Sequence, residues 1–264
     1  MEVTSLSIVI PALNEGANLR DTVTMLEHAV SARFEDYEFI IIDDGSQDTT
    51  GSIADELAIS HKRIRVIHHE HNAGIGFSIR EGFGLASKQI IGWIPADTNL
   101  SVSLGDLHRI VQAIGQADFV QTEVSIDHRP WFKRAVSRGF VVGMNLLFGL
   151  RFNYYNGANF YSARLIRSIR LDGDGYELFS NILVRLATRG ATFVAVGIEN
   201  LDTVGNSNSF HFKTFLLVVR SVLRLRWEVF IANRQRNSVS LSDTREEDMP
   251  VPMALHGGVG VDRS

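Results

Sequence analysis

The sequence predicts an α/β fold in which a mostly parallel sheet is flanked by helices, with an amphipathic helix toward the C-terminus. Three observations carry that prediction. Strand-like apolar runs alternate with amphipathic helical stretches over residues 7–114, the signature of βαβ units around a parallel sheet. The run Phe39-Ile40-Ile41-Ile42 is continuously apolar, as a strand buried on both faces should be. A chain of 264 residues with 45% hydrophobic content can also bury a substantial core.

The formal net charge of -4 argues against a general nucleic-acid binder. There is no cysteine, which excludes disulfides and thiolate metal sites and fits a reducing compartment. Any metal must be held by carboxylate, amide or imidazole groups. Residues 1–10 carry no basic stretch followed by an apolar one, so no secretory leader is read. No apolar run is long enough to span a bilayer, and the expected location is cytoplasmic.

Ser7-Ile8-Val9-Ile10-Pro11 forms the first strand, and Ala12-Leu13-Asn14-Glu15-Gly16 turns out of it. Leu19, Val23, Leu26 and Val30 recur at helical spacing, one apolar stripe on a polar helix. The second strand delivers Asp43 and Asp44 at its C-terminal tip, where open α/β sheets hold their ligands. Asp44-Gly45 equally suits a tight turn, with Ser46 or Asp48 capping the next helix. Ile53, Ala54, Leu57 and Ala58 mark that helix, and Ile64, Val66 and His68 alternate as a third strand. Asn72-Ala73-Gly74-Ile75-Gly76 opens a further helix, where glycines let backbone approach a ligand closely. Their spacing is not that of a dinucleotide fingerprint. Residues 89–94 form the fourth strand and bring Pro95-Ala96-Asp97-Thr98-Asn99 to its tip.

Glu15, Asp43 and Asp97 thus follow three separate strands and converge on one sheet edge. Such a cluster repels phosphate unless a divalent cation or base-edge hydrogen bonds intervene, and oxygen ligands favour Mg²⁺ or Mn²⁺. That combination points to a nucleoside diphosphate. The series Ile-Pro-Ala-Leu-Asn-Glu (10–15), Ile-Asp-Asp-Gly-Ser-Gln-Asp-Thr-Thr (42–50), Asn-Ala-Gly-Ile-Gly (72–76) and Pro-Ala-Asp (95–97) resembles family 2 glycosyltransferases of the GT-A fold. In the second half, Lys133-Arg134, Ser137-Arg138, Asn156-Gly157, the helix over 175–190 and Gly205-Asn206-Ser207 resemble the dolichyl- and polyprenyl-phosphate mannose and glucose synthases. The resemblance covers residues 5–230. It implies that Pro11, Leu13, Glu15 and Asp43 contact the nucleoside, Asp43 at the base. Asp44, Gly74, Gly76 and Ala96 complete the expected nucleotide site. Asp97 matches the second acid of the family's D-x-D motif, and Asn99 the third metal-associated position. Pro95 replaces the first acid, which removes one carboxylate from a hard-cation site and predicts weakened Mg²⁺ or Mn²⁺ binding.

Residues 104–114 form another amphipathic helix and residues 117–122 a strand. Residues 127–134 then concentrate cations beside aromatics. Arg134 stands where the resembling synthases place a basic residue that offsets the charge of the leaving diphosphate, and a solvated helix face is the plainer reading. The apolar stretch 140–150 packs inside the domain or touches lipid, and the loop 154–159 is either surface or a sugar and acceptor contact. Phe179, Ile182, Leu183 and Leu186 stripe a helix that Asp174 and Glu177 lead into, and Val194, Val196 and Ile198 alternate as a strand. Over 212–231, an apolar side faces Lys213, Arg220 and Arg224, so this helix either lies in a membrane interface or packs on the domain. Residues 1–236 are read as one GT-A domain, with a nucleotide-binding half (1–122) and an acceptor half (123–236), and residues 237–264 as a disordered tail.

The expected activity is inverting transfer of a sugar from a UDP- or GDP-linked donor, inversion being implied by the resemblance. A polyprenyl phosphate acceptor is already largely ionised near neutrality and needs no strong protein base. A hydroxyl acceptor needs one, and Asp174 and Glu177 are the candidates. The lipid-phosphate synthases carry an arginine and a lysine where this chain has Asp202 and Asn208, so two expected cations are missing. The basic apolar helix still places the lipid phosphate ahead, with the enzyme at the inner face of the membrane. A catalytically silent nucleotide-sugar binding module is the reading from a different class, motivated by the lost D-x-D acid.

Overall fold

The buried strands expected at the N-terminal half form one side of a single sheet. The computed structural model describes residues 3–98, 102–127, 130–200 and 222–228. Strands β1 (Ser5–Ala12), β2 (Asp36–Asp43), β3 (Ile64–His68) and β4 (Ile90–Trp93) are mutually parallel. Helices α1 (Leu19–Ser31), α2 (Thr50–Ser60) and α3 (Ile75–Leu85) make the crossovers. Every residue of β1 is buried, and alternate side chains feed two cores. Leu6, Ile8 and Ile10 pack with Leu19, Val23 and Leu26 of α1, whereas Val9 packs with Ile79 and Phe83 of α3. Ala12 pairs with Asp43, so β1 and β2 end level and deliver their loops to the same edge.

The second half adds α4 (Leu104–Ala113), β5 (Phe119–Asp127), α5 (Trp131–Phe148), β6 (Phe160–Ser162), α6 (Ala163–Arg167), α7 (Glu177–Ala187) and β7 (Phe193–Asn200). The sheet has seven strands in the order β3-β2-β1-β4-β6-β5-β7. β6 runs antiparallel to both β4 and β5. Sequence periodicity did not reveal it, because Phe160-Tyr161-Ser162 is too short to show an alternation. β5 extends past the expected end at 122, to Asp127, held by parallel pairing with β7 and an irregularity between Val124 and Ile126. Both expected halves of the domain therefore share one sheet.

The cationic stretch and the apolar stretch after it form one continuous helix, α5, of which only Met144 is buried. Phe132, Val136, Val142 and Leu146 remain exposed along it. Asn145 interrupts the apolar run for a local reason: its amide donates to the Phe152 carbonyl and accepts from the Phe152 N–H and the Tyr155 hydroxyl. Gly149, at φ 67°, closes the helix in the left-handed conformation that glycine adopts without strain. The helical segment 222–228 buries Leu225 in the core shared by Met144 and α7, and its Glu228 pairs with Arg185. Asn99, Asp202, Asn208, Lys213, Arg220 and the tail 237–264 lie outside the described residues. Among the described residues, no helix is long and apolar enough to cross a membrane.

Candidate functional site

The loops that leave β1 and β2 are stitched to each other. Asn14, at φ 55°, donates its N–H to Ser46 Oγ (3.0 Å) and accepts from the Gln47 N–H (2.9 Å). The N–H of Glu15 reaches Thr50 Oγ1 at 2.7 Å and that of Gly16 reaches Asp48 Oδ2 at 3.1 Å. A third loop joins them from β4, because the Ala96 N–H donates to the Pro11 carbonyl at 3.2 Å. Pro11 and Ala96 are therefore buried framework, whereas Leu13 is 39% exposed at the rim.

The acids occupy distinct environments on this edge. Asp43 is almost wholly buried; desolvation opposes its charge, but hydrogen bonds from Ser46 and His68 outweigh it and hold its pKa below the ordinary value. Asp44 turns the other way and accepts from His69 Nδ1 (2.7 Å) and from the N–H groups of Ala73 (2.8 Å) and Gly74 (3.0 Å). Its carboxylate thus fixes the loop that opens α3. Glu15 has a raised pKa, first through burial, against the hydrogen bond from Asn18, and then through the charges of Asp97 and Asp48. Tyr176, at the start of α7, is pushed the same way by desolvation and then by Asp97. The charge of Asp97, after β4, thus acts on both Glu15, after β1, and Tyr176, before α7.

The two glycines at the start of α3 serve a close approach, but the approaching group is this chain's own backbone. A Cβ on Gly74 would lie 2.5 Å from the Asp174 carbonyl oxygen, and one on Gly76 would lie 2.6 Å from the Asp174 carbonyl carbon. The Gly76 N–H instead donates to that carbonyl at 2.9 Å, and Arg80 Nη1 pairs with the Asp174 carboxylate at 2.8 Å. Glu177 folds back so that Oε1 accepts from the N–H groups of Asp174 and Gly175, both at 3.2 Å. Both carboxylates read as candidate bases are thus engaged in holding the loop before α7. Arg134 is half-buried in the first turn of α5.

The loop 154–159 is largely structural. Tyr155 and Asn159 are buried, and Asn159 Oδ1 accepts from the Thr122 N–H at 3.0 Å. Sequence reasoning missed His68, Arg80 and Tyr176. His68 had a signal, since it ends the alternating third strand as Asp43 ends the second, and the two pair in register. The other two had none, because their partners come from distant segments. Among the described residues, no cluster of three His, Cys, Asp or Glu side chains could hold a metal by itself. Asp97 instead offers a single carboxylate, which fits the way Mg²⁺ binds when substrate phosphates supply further oxygens.

The sequence profile of glycosyl transferase family 2 matches residues 7–169. Polyprenol monophosphomannose synthase of Mycolicibacterium smegmatis is 26% identical over 209 residues, 72% of this chain and 75% of that protein. Glycosyltransferase GlyG of Streptococcus pneumoniae is 32% identical over 92 residues, 35% of this chain and 30% of that protein. Glycosyltransferase AglD of Haloferax volcanii is 24% identical over 247 residues, 89% of this chain but 39% of that protein. The chain thus spans less than half the length of GlyG and of AglD. Among solved structures, glucosyl-3-phosphoglycerate synthase from Mycobacterium tuberculosis, in complex with Mn²⁺, UDP-glucose and phosphoglyceric acid, has a TM-score of 0.62 at 18% identity. That match covers 84% of this chain and 80% of the other, and it establishes the fold as GT-A-like.

Proposed function

The chain belongs to glycosyl transferase family 2, and we propose that it transfers a sugar, with inversion, from a UDP- or GDP-linked donor to a polyprenyl phosphate. The observation that carries this reading is the meeting of the Glu15, Asp43 and Asp97 loops on one sheet edge, tied by the Asn14–Ser46 and Ala96–Pro11 hydrogen bonds. Asp43, kept ionised, is an acceptor suited to the imino N–H of uracil or guanine. Pro11 and Ala96 shape the floor and Leu13 the rim. Asp44, Gly74 and Gly76 act indirectly, by fixing the α3 loop and the segment it carries. Asp97, with Asn99 from beyond the described residues, would hold Mg²⁺ or Mn²⁺ on the diphosphate side of the site. The bound cation would neutralise charge on the diphosphate. Arg134 adds a cation for the leaving group from α5.

The state of Asp174 and Glu177 supports a phosphate acceptor. One pairs with Arg80 and the other caps the 174–175 backbone, so both carboxylates are engaged within the chain. A phosphate acceptor requires no such base. The exposed apolar row on α5, flanked by Lys133, Arg134 and Arg138, supports an acceptor delivered from a membrane surface. A hydroxyl acceptor is the second reading, favoured by Asp202 and Asn208 standing where lipid-phosphate synthases carry cations. A panel of UDP- and GDP-sugars offered with a polyprenyl phosphate, and separately with soluble alcohols, tests the assignment. Lipid-linked sugar should form with one donor class. Transfer to a soluble alcohol with every polyprenyl phosphate ignored would replace the lipid acceptor with the hydroxyl one.

A further inference from the structure

His68 lies at the end of β3, paired in register with Asp43, and both its ring nitrogens face carboxylates. Nδ1 is 3.0 Å from Asp43 Oδ2, and Nε2 is 3.1 Å from Asp55 Oδ1. A neutral imidazole has a single N–H, so only the imidazolium donates to both. Asp43 from β2 and Asp55 from α2 are the titratable groups that face this ring, and each raises its pKa. The neighbouring His69 is engaged elsewhere, between Asp44 and Glu81, at 2.7 Å from each. Space for the Asp43–His68 pair is built into α2: a Cβ on Gly51 would fall 2.8 Å from Asp43 Oδ2. On the other oxygen, the Ser46 N–H donates to Asp43 Oδ1 at 3.1 Å.

We propose that His68 is a positioning residue of the donor site, which as an imidazolium clamps Asp43 into an ionised, acceptor-only carboxylate aimed at the nucleobase. This rests on the donor assignment above and deepens it. With His68 on one oxygen and Ser46 also donating to the carboxylate, the remaining lone pairs of Asp43 accept from the N3–H of uracil or the N1–H of guanine. Cytosine and adenine present an acceptor nitrogen at the corresponding edge and are repelled. When His68 loses its proton, one of its two carboxylates faces a bare ring nitrogen, and the clamp weakens. One of the two N–H donors is lost outright, so donor affinity should fall roughly three- to tenfold as His68 titrates.

Calorimetry with UDP-glucose and GDP-mannose tests this, because a sugar-capped diphosphate lacks the monoester ionisation that a free nucleoside diphosphate carries at about pH 6. In wild type, affinity for the favoured donor should decline from about pH 6 to about pH 8.5, across the imidazole range. His68→Asn keeps an amide donor near the Nδ1 position but cannot titrate; its affinity should be flat and match wild type at high pH. Asp55→Asn leaves His68 with one carboxylate partner and should move the midpoint of the decline to lower pH. A flat wild-type profile, an unshifted midpoint in Asp55→Asn, or a His68→Asn variant that keeps the wild-type slope would overturn the role of His68 alone. Binding of neither donor by wild type at any pH would instead reject the donor assignment, and this inference with it.

Discussion

Two glycines of the same helix should respond oppositely to a methyl group. Gly76→Ala places a Cβ within 2.6 Å of the Asp174 carbonyl carbon and the Gly175 carbonyl oxygen, both backbone atoms with no rotamer to yield. Overpacking of this kind costs about 1–3 kcal/mol, and displacement of the 174–175 segment also forfeits the Gly76–Asp174 hydrogen bond, about 1 kcal/mol more. The gain in helix propensity on replacing glycine returns at most about 1 kcal/mol. The net loss is about 1–3 kcal/mol. Gly84 lies in α3 as well, but a Cβ there meets nothing within 4 Å, so Gly84→Ala should be neutral or stabilising by up to about 1 kcal/mol. Thermal unfolding reads the contrast: at roughly 2–4 °C per kcal/mol for a chain of this size, Gly76→Ala should melt several degrees below Gly84→Ala. Equal melting temperatures for the two variants would refute the account of how α3 holds the loop before α7.

Further predictions follow from charge. His68 and His69 have raised pKa values in the fold, so the stability they contribute is complete below the ordinary imidazole value and is lost as pH rises through the folded one. Glu38, Asp43 and Asp106 are lowered, so theirs is complete above the ordinary carboxylate value and is lost as pH falls through the folded one. The urea midpoint should therefore peak in mildly acidic solution and decline on both sides; a rise from pH 6.5 to 8.5 would contradict this. Asp174→Asn and Glu177→Gln should keep transfer to polyprenyl phosphate within about tenfold of wild type, because loss of a general base costs roughly two to four orders of magnitude. Sedimentation with acidic liposomes should fall as salt rises, since charges are screened within about 10 Å at 0.1 M, and Val142→Asp on α5 should weaken it at low salt.

Much of the fold was legible because the buried strands announce themselves. Ile8-Val9-Ile10 and Phe39-Ile40-Ile41-Ile42 are continuous apolar runs at the centres of β1 and β2, and the apolar stripes of α1 and α4 match their buried faces. The three-residue β6 was not legible, since its place is set by Asn159, Phe160 and Tyr161 packing between β4 and β5 rather than by local pattern. At the site, the acids could be read from strand tips, because a strand's end fixes where its next side chain goes. Roles were harder. Gly74 and Gly76 signalled a close approach, yet only the folded chain reveals that residues 174–175 make it. Likewise Asp174 and Glu177 read as available carboxylates until Arg80 and the loop N–H groups claim them.

The central claim is that Asp43 and Asp97 serve different parts of one nucleotide-sugar donor. Calorimetric titration of UDP and GDP into wild type, Asp43→Ala and Asp97→Ala, paired with turnover of the favoured donor, tests it most directly. Asp43→Ala should lose nucleotide affinity by about tenfold or more, the loss expected when a hydrogen bond to a charged group is removed. Asp97→Ala should keep most of its nucleotide affinity and lose turnover. Unchanged nucleotide affinity in Asp43→Ala, or full turnover in Asp97→Ala, would contradict the site.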